Sequence, residues 1–165
     1  MDDDIDSGKA DELLHVLDHH AFTILLDYLA KSEHSELQCR NLLKRKEFHS
    51  SIINHAIQQC KKLRYLDDGR FAEVMINSFA NRKASKRAIV AKLREQHIPS
   101  SVWEHLLNEL YPQEMATGNI TELMAKYCVT HRDLPRAKLR EKVFGYLFRK
   151  GFELSDIQSA WDDLN

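Results

Sequence analysis

With 165 residues, 43% of them hydrophobic, the chain is long enough to bury a core, and its 5 glycines and 3 prolines argue against a many-turned β architecture. Formal net charge is −1, yet residues 1–20 hold seven acids against Lys9 while the remainder holds 23 bases and 18 acids. No stretch approaches 18 apolar residues, and the start MDDDIDSGKADELL lacks the basic region and long apolar run of a secretory signal, so a soluble cytoplasmic protein without membrane contact is expected. Cys39, Cys60 and Cys128 are odd in number and far apart, which fits small apolar core residues in a reducing compartment better than a disulfide framework or a CxxC metal knuckle.

Residues 1–20 read as an acidic, mobile leader. Beyond it, apolar residues recur at i, i+3, i+4 and i+7: Phe22, Leu25, Leu26, Leu29; then Phe71, Val74, Met75, Phe79; then Ile120, Leu123, Met124, Tyr127, Cys128. The segments KEFHSSIINHAI (46–57), QHIPSSVWEHLL (96–107) and KGFELSDIQSAW (150–161) align without a gap, which makes the chain a threefold repeat of about fifty residues. In each copy an apolar anchor (Phe48, Ile98, Phe152) follows a leucine by five residues (Leu43, Leu93, Leu147). A serine stands three residues after each anchor (Ser51, Ser101, Ser155) and reads as the N-cap of the next helix. Ser35 and Ser85, 13 residues before their anchors, read as caps of the middle helix, and Pro135 opens that helix in the third copy.

The expected fold is all-α: three tandem three-helix repeats forming an elongated, curved body, with repeats over 21–64, 65–111 and 112–165. The helices are expected near 21–32, 35–47 and 51–63; 67–82, 85–96 and 100–110; 119–131, 135–149 and 155–164.

No phosphate loop, GxGxxG turn, GxSxG elbow or HExxH helix occurs, so catalysis has no evident seat. His15 and His19 have a helical i, i+4 spacing but no convincing third ligand, and neither metal nor cofactor is expected. The informative chemistry is basic. Residues 82–94 contain Arg82, Lys83, Lys86, Arg87, Lys92 and Arg94 without an acid, and Lys83, Arg87 and Arg94 read as one helical face. The other middle helices carry Arg40, Lys44, Arg45 and Lys46, and Arg136, Lys138, Arg140 and Lys142, followed by Arg149 and Lys150. A charge run is often only a solvated face, but three in register point to a polyanionic partner. Phosphate contact fits better than base reading: base readers present Arg, Asn or Gln from their first turns, whereas the third helices begin SIINH, SVWEH and SDIQS, apolar or acidic on the core side.

Two segments carry a family resemblance: YLDDGRFAEVMINSFANRK (65–83) and EKVFGYLFRKGFELSDIQSAW (141–161), joined by SEHS (32–35). They resemble the RecX family of recombinase regulators across roughly residues 21–165. The resemblance implies a cytoplasmic, monomeric protein that binds the RecA filament along its groove, touches single- and double-stranded DNA through phosphates, and restrains recombinase, ATPase and co-protease activity without catalysis of its own. The bases expected to face RecA or DNA are Lys83, Lys86, Arg87, Arg94, Arg136, Lys138, Arg140, Lys142, Arg149 and Lys150. Tyr65, Leu66, Asp67, Asp68, Arg70, Phe71, Gly151 and Phe152 form the family signature. Asp67 reads as the cap of the fourth helix, Asp68 as a favourable charge near its start, Phe71 as core, and Tyr65 with Leu66 as a staple. Arg70 is either an intramolecular partner for an acid or a surface contact. The chain departs from the family at Arg64, where glycine is common, at Lys83-Ala84-Ser85-Lys86, in place of a Gly-x-Gly-Pro turn, and at Ala88, where a base is usual. The alternative reading is a general helical nucleic-acid-binding protein with no recombinase partner.

Overall fold

A computed structural model describes residues 3–164, with the side chains of 3–8, 10 and 11 left undescribed. Its helices are α1 (Asp3–Leu29), α2 (Glu36–Arg45), α3 (Ser50–Lys62), α4 (Asp68–Asn81), α5 (Lys86–Glu95), α6 (Ser100–Leu110), α7 (Gln113–Thr130), α8 (Arg136–Arg149) and α9 (Leu154–Asp163). No strand occurs among the described residues, and no helix among them is long and apolar enough to cross a membrane.

Contacts divide the chain into two compact units, one running up to Phe71 and including 96–98, the other comprising 72–95 and 99–165. In the first, α1, α2 and α3 pack on one another around Leu25, Leu43, Ile53, Ile57 and Cys60, with Leu17, Phe22 and Phe48 against that cluster. The second contains the mutually packed α7, α8 and α9 around Ile120, Met124, Val143, Leu147, Phe152 and Ile157. It also buries Ile76 of α4, Ile89 and Leu93 of α5, and Trp103 and Leu107 of α6. Cys39 and Cys60 are buried, and that burial pushes their thiols up to about 12 and about 11. They behave as apolar core residues, whereas Cys128 is half-buried.

The repeated anchor has a backbone cause. Glu47, Arg64, Lys83, His97 and Gly151 all adopt positive φ, between 57° and 93°, two residues after the last helical residue of α2, α3, α4, α5 and α8. After four of them the next residue turns back: Phe48 N–H donates to the Leu43 carbonyl at 3.3 Å, Tyr65 to Cys60 at 2.9 Å, Ala84 to Phe79 at 3.0 Å and Phe152 to Leu147 at 3.2 Å. This is the Schellman closure, in which the second residue past the cap bonds the carbonyl five residues earlier. The leucine and anchor found in the repeat are the two ends of that bond. One turn thereby satisfies orphan carbonyls and drives two apolar side chains into the core.

Several boundaries differ from expectation. α1 starts at Asp3 rather than residue 21, so the leader backbone continues the first helix, while the acids Asp2, Asp3, Asp4, Asp6 and Asp11 lie outside the described side chains. α7 starts at Gln113, six residues early, because Pro112 sits at its N-cap with φ −66° and the helix runs through Gly118. Ser51, Ser101 and Ser155 are not caps. One extended residue after the anchor suffices, so His49, Pro99 and Glu153 take the cap positions and each serine falls on the second helical residue. Ser35 does cap α2, in a reciprocal box with Gln38, and Ser85 Oγ accepts the Ala88 N–H at 3.2 Å at the start of α5.

A left-handed residue with a Cβ is strained by roughly 1–2 kcal/mol, part of which glycine gives back through unfolded-chain entropy. Arg64→Gly and His97→Gly should therefore each raise stability by up to about 1 kcal/mol. Gly151→Ala should lower it by roughly 1–3 kcal/mol, since a Cβ there would stand 2.6 Å from Ser85 Oγ at a φ of +93°. Urea denaturation monitored by circular dichroism reads all three, and a lower midpoint for either glycine substitution would contradict the assignment.

Candidate nucleic-acid interface

The basic residues sit on scaffolding that begins with Ser85, almost fully buried. Its hydroxyl caps α5 and also donates to the Lys150 carbonyl at 2.9 Å, tying the start of α5 to the end of α8. Only glycine at 151 leaves room for this contact. Beside it, the buried Tyr111 donates its hydroxyl to the Ala84 carbonyl at 2.7 Å and accepts from Asn119 Nδ2 at 3.2 Å. Burial raises the Tyr111 hydroxyl above its ordinary range, with the Asn119 bond opposing.

Between α5 and the start of α9 lies a cleft of about 470 Å³. Lys86, Arg87, Val90 and Arg94 line one wall, and Phe152, Glu153 and Asp156 lie opposite. Arg87 and Arg94 share a face because seven residues bring a helix back to within about 20°. Arg87 also lies 5.7 Å from the centroid of the Phe148 ring.

Lys83 does not belong to this face. It occupies the left-handed turn before α5 and is ion-paired with Glu122 of α7. Lys86 donates to Asn108 Oδ1 at 2.8 Å. The α8 bases divide again. At 100° per residue, Lys138, Lys142 and Arg149 project within about 40° of one another on the face away from Val143 and Leu147. Arg136 and Arg140 point toward α9. Arg140 bonds Gln158 and covers the Phe144 ring at 4.3 Å, while Arg136 borders a second cleft, of about 310 Å³, with Cys128 and Trp161. Lys150 is the C-cap residue and lies 5.3 Å over Tyr146. The ten expected bases are thus divided: the α5 wall holds Lys86, Arg87 and Arg94, the α9 side of α8 holds Arg136 and Arg140, its outer face holds Lys138, Lys142 and Arg149, and Lys83 and Lys150 lie in turns.

In the first unit one set of charges pairs internally, while Lys44, Arg45 and Lys46 at the end of α2 are exposed. Glu36 accepts from Arg40 Nε and Lys61 Nζ, both at 2.7 Å, and its backbone N–H donates to Asp68 Oδ1 at 2.8 Å. Burial alone would raise Glu36, but the Lys61 and Arg40 hydrogen bonds outweigh it and hold the carboxyl below its ordinary range. Asp68 is raised by burial, with the Glu36 amide opposing. Asp67 caps α4 by accepting from Gly69 and Arg70 N–H. Arg70 is an intramolecular partner: Nε meets Glu33 at 2.9 Å, and its terminal nitrogens donate to the carbonyls of Arg64 and Tyr65. Leu66 and Phe71 are buried, whereas Tyr65 is half exposed. Neither the Glu36 hub nor the aromatic partners of Arg87 and Arg140 has a sequence signal of its own. Among the described residues, no group of three or more His, Cys, Asp or Glu is placed to hold a metal.

A lowered carboxyl stabilises the fold above its unfolded pKa and loses that contribution as pH falls through the folded value. Glu36→Gln should lower stability at pH 7 and flatten the fall in melting temperature below about pH 4.5, the ordinary value of the group. An acid limb identical to that of the parent would remove Glu36 from the account.

Two family patterns match the chain: the first three-helix domain of RecX over residues 21–60, and the third three-helix domain over 117–161. The regulatory protein RecX of Syntrophotalea carbinolica is 33% identical over 135 residues, covering 80% of this chain and 88% of the relative. RecX of Streptococcus pneumoniae serotype 19F is 28% identical over 94% of this chain, and that of Finegoldia magna 31% over 80%. This chain spans 61% and 65% of those two relatives, less than two thirds of their length. Two RecX crystal structures share the fold. One has a TM-score of 0.86 at 21% identity, covering 95% of this chain and 77% of that one. The other, from Lactobacillus salivarius, has a TM-score of 0.82 at 18% identity, covering 91% and 97%.

Proposed function

The chain belongs to the RecX family of regulatory proteins, and we propose that it is a non-enzymatic, cytoplasmic modulator that binds the RecA nucleoprotein filament and restrains its recombinase, ATPase and co-protease activities. The observation that carries this reading beyond the family is the α5 wall, where Arg87 and Arg94 face a cleft together with Lys86. Such a row suits DNA phosphate or an acidic patch of the recombinase, because guanidinium groups make charge-assisted bonds to either. The outer α8 bases Lys138, Lys142 and Arg149 supply a second cationic surface. Lys83 stands apart from this row, in the turn before α5 and paired with Glu122.

Modulation of this kind needs no chemistry in the regulator. A ligand that prefers one filament state shifts the equilibrium by its differential affinity and by no more. The α5 wall equally supports the second reading, nucleic-acid binding without a recombinase partner, since phosphate contact requires only the bases.

ATP hydrolysis by RecA on single-stranded DNA separates the two. The protein should lower turnover in a saturable manner, and unchanged turnover at saturation would sink the regulator reading. Tight binding to naked DNA that weakens steeply with salt, without an effect on RecA, would favour the alternative. Combined Lys86→Glu and Arg87→Glu should abolish most of the effect. For single-stranded DNA, each phosphate contact removed by Arg94→Ala or Lys86→Ala should reduce the log–log salt slope by about 0.7.

A further inference from the structure

We propose that α8 carries a nucleobase-stacking ladder that gives this protein a preference for single-stranded over duplex nucleic acid. This goes beyond phosphate contact and rests on the reading that the α5 and α8 bases meet DNA. The ladder consists of two aromatic rings, each paired with an arginine. Phe144 is covered by Arg140 at 4.3 Å, and Phe148, one helical turn later, lies 5.7 Å from Arg87 of α5. Phe144 is half-buried and meets Trp161 edge-on, so its position is fixed by the core. Phe148 is different. It is 45% exposed on a helix whose inward positions are already filled by Val143 and Leu147, so core packing does not account for it.

An exposed aromatic ring among arginines has the composition of a single-strand platform. Every base offers a π-face to such a ring, and the adjacent cations follow the phosphates. Guanidinium planes stack on bases as well. Spacing supports single strand over duplex. Four residues of helix separate the rings by about 6 Å along the axis, whereas bases along a duplex strand are about 3.4 Å apart. An extended strand can place successive bases on the two rings; paired and stacked bases cannot reach them. Arg140 of α8 and Arg87 of α5 are the cations against the rings. The opposing charge on this side of α8 is Glu141, and Asp162 of α9 bonds Gln158, the partner of Arg140.

The test uses the full chain and three fluorescent probes of equal length: an oligo(dT), an abasic oligonucleotide with the same phosphates, and a duplex. Anisotropy titrations should show the parent binding oligo(dT) at least about fivefold more tightly than the abasic strand. Phe148→Ala should bring oligo(dT) most of the way down to the abasic level while leaving duplex affinity and the salt slope unchanged. Phe148→Trp should retain the preference. Because the ring is surface-exposed, the melting temperature of the alanine variant should stay close to that of the parent and thereby exclude misfolding. Equal affinity for dT and abasic strands, or an equal loss on single strand and duplex, would overturn the ladder. So would failure to bind any probe, although the RecA turnover assay would then still decide the regulator reading by itself. Loss of RecA inhibition by Phe148→Ala with oligo(dT) affinity intact would instead assign the ring to a protein partner and reject the ladder.

Discussion

A helix that must end and reverse the chain at once has few backbone solutions, and among the described residues this protein uses a left-handed one five times. The left-handed residues Glu47, Arg64, Lys83, His97 and Gly151 reverse the chain within two positions. The closures at Leu43–Phe48 and Leu147–Phe152 then couple hydrogen-bond satisfaction to burial, because the residues joined through the backbone also place their side chains in the apolar clusters. At Gly151 the same turn does one thing more. Its missing side chain admits the Ser85 hydroxyl, which fixes the end of α8 against the start of α5 and so sets where Arg87 and Arg94 can point.

Charge in this chain divides by what surrounds it. In the first unit, Glu36 pairs with Arg40 and Lys61 and gives its backbone N–H to Asp68, while Glu33 pairs with Arg70. In the second unit the cations lie over rings, along a cleft or on an outer helix face. A guanidinium resting on an aromatic ring keeps its positive field while its orientation is narrowed, which suits recognition better than a freely rotating surface charge.

The helices and anchors were legible in the sequence because helical periodicity and the threefold alignment are carried by apolar residues, and apolar burial dictates both. Asp67 as cap, Phe71 as core and the middle-helix caps Ser35 and Ser85 followed from local chemistry, which a linear sequence records well. Four of the five left-handed turns were hidden because Glu, Arg, Lys and His occupy them rather than glycine. Arg64 and Lys83 stand where the family commonly has glycine, and both are left-handed. Serines 51, 101 and 155 misled because serine favours the first helical turn as well as the cap, and the turn geometry decides between them. Lys83 left the face of Arg87 and Arg94 because it lies in the left-handed turn before α5, where it pairs with Glu122, 39 residues away.

Ser35 and Ser85 occupy equivalent places in their repeats but lean on different chemistry. Ser35 gives its proton to the side-chain oxygen of Gln96 at 2.8 Å, whereas Ser85 gives its proton to the main-chain carbonyl of Lys150. The acceptor for Ser85 survives any exchange at 150, while the acceptor for Ser35 vanishes with Gln96. Exchange at position 150 therefore leaves the tie between α5 and α8 in place, whereas loss of Gln96 leaves the Ser35 hydroxyl only its capping bond to the Gln38 amide.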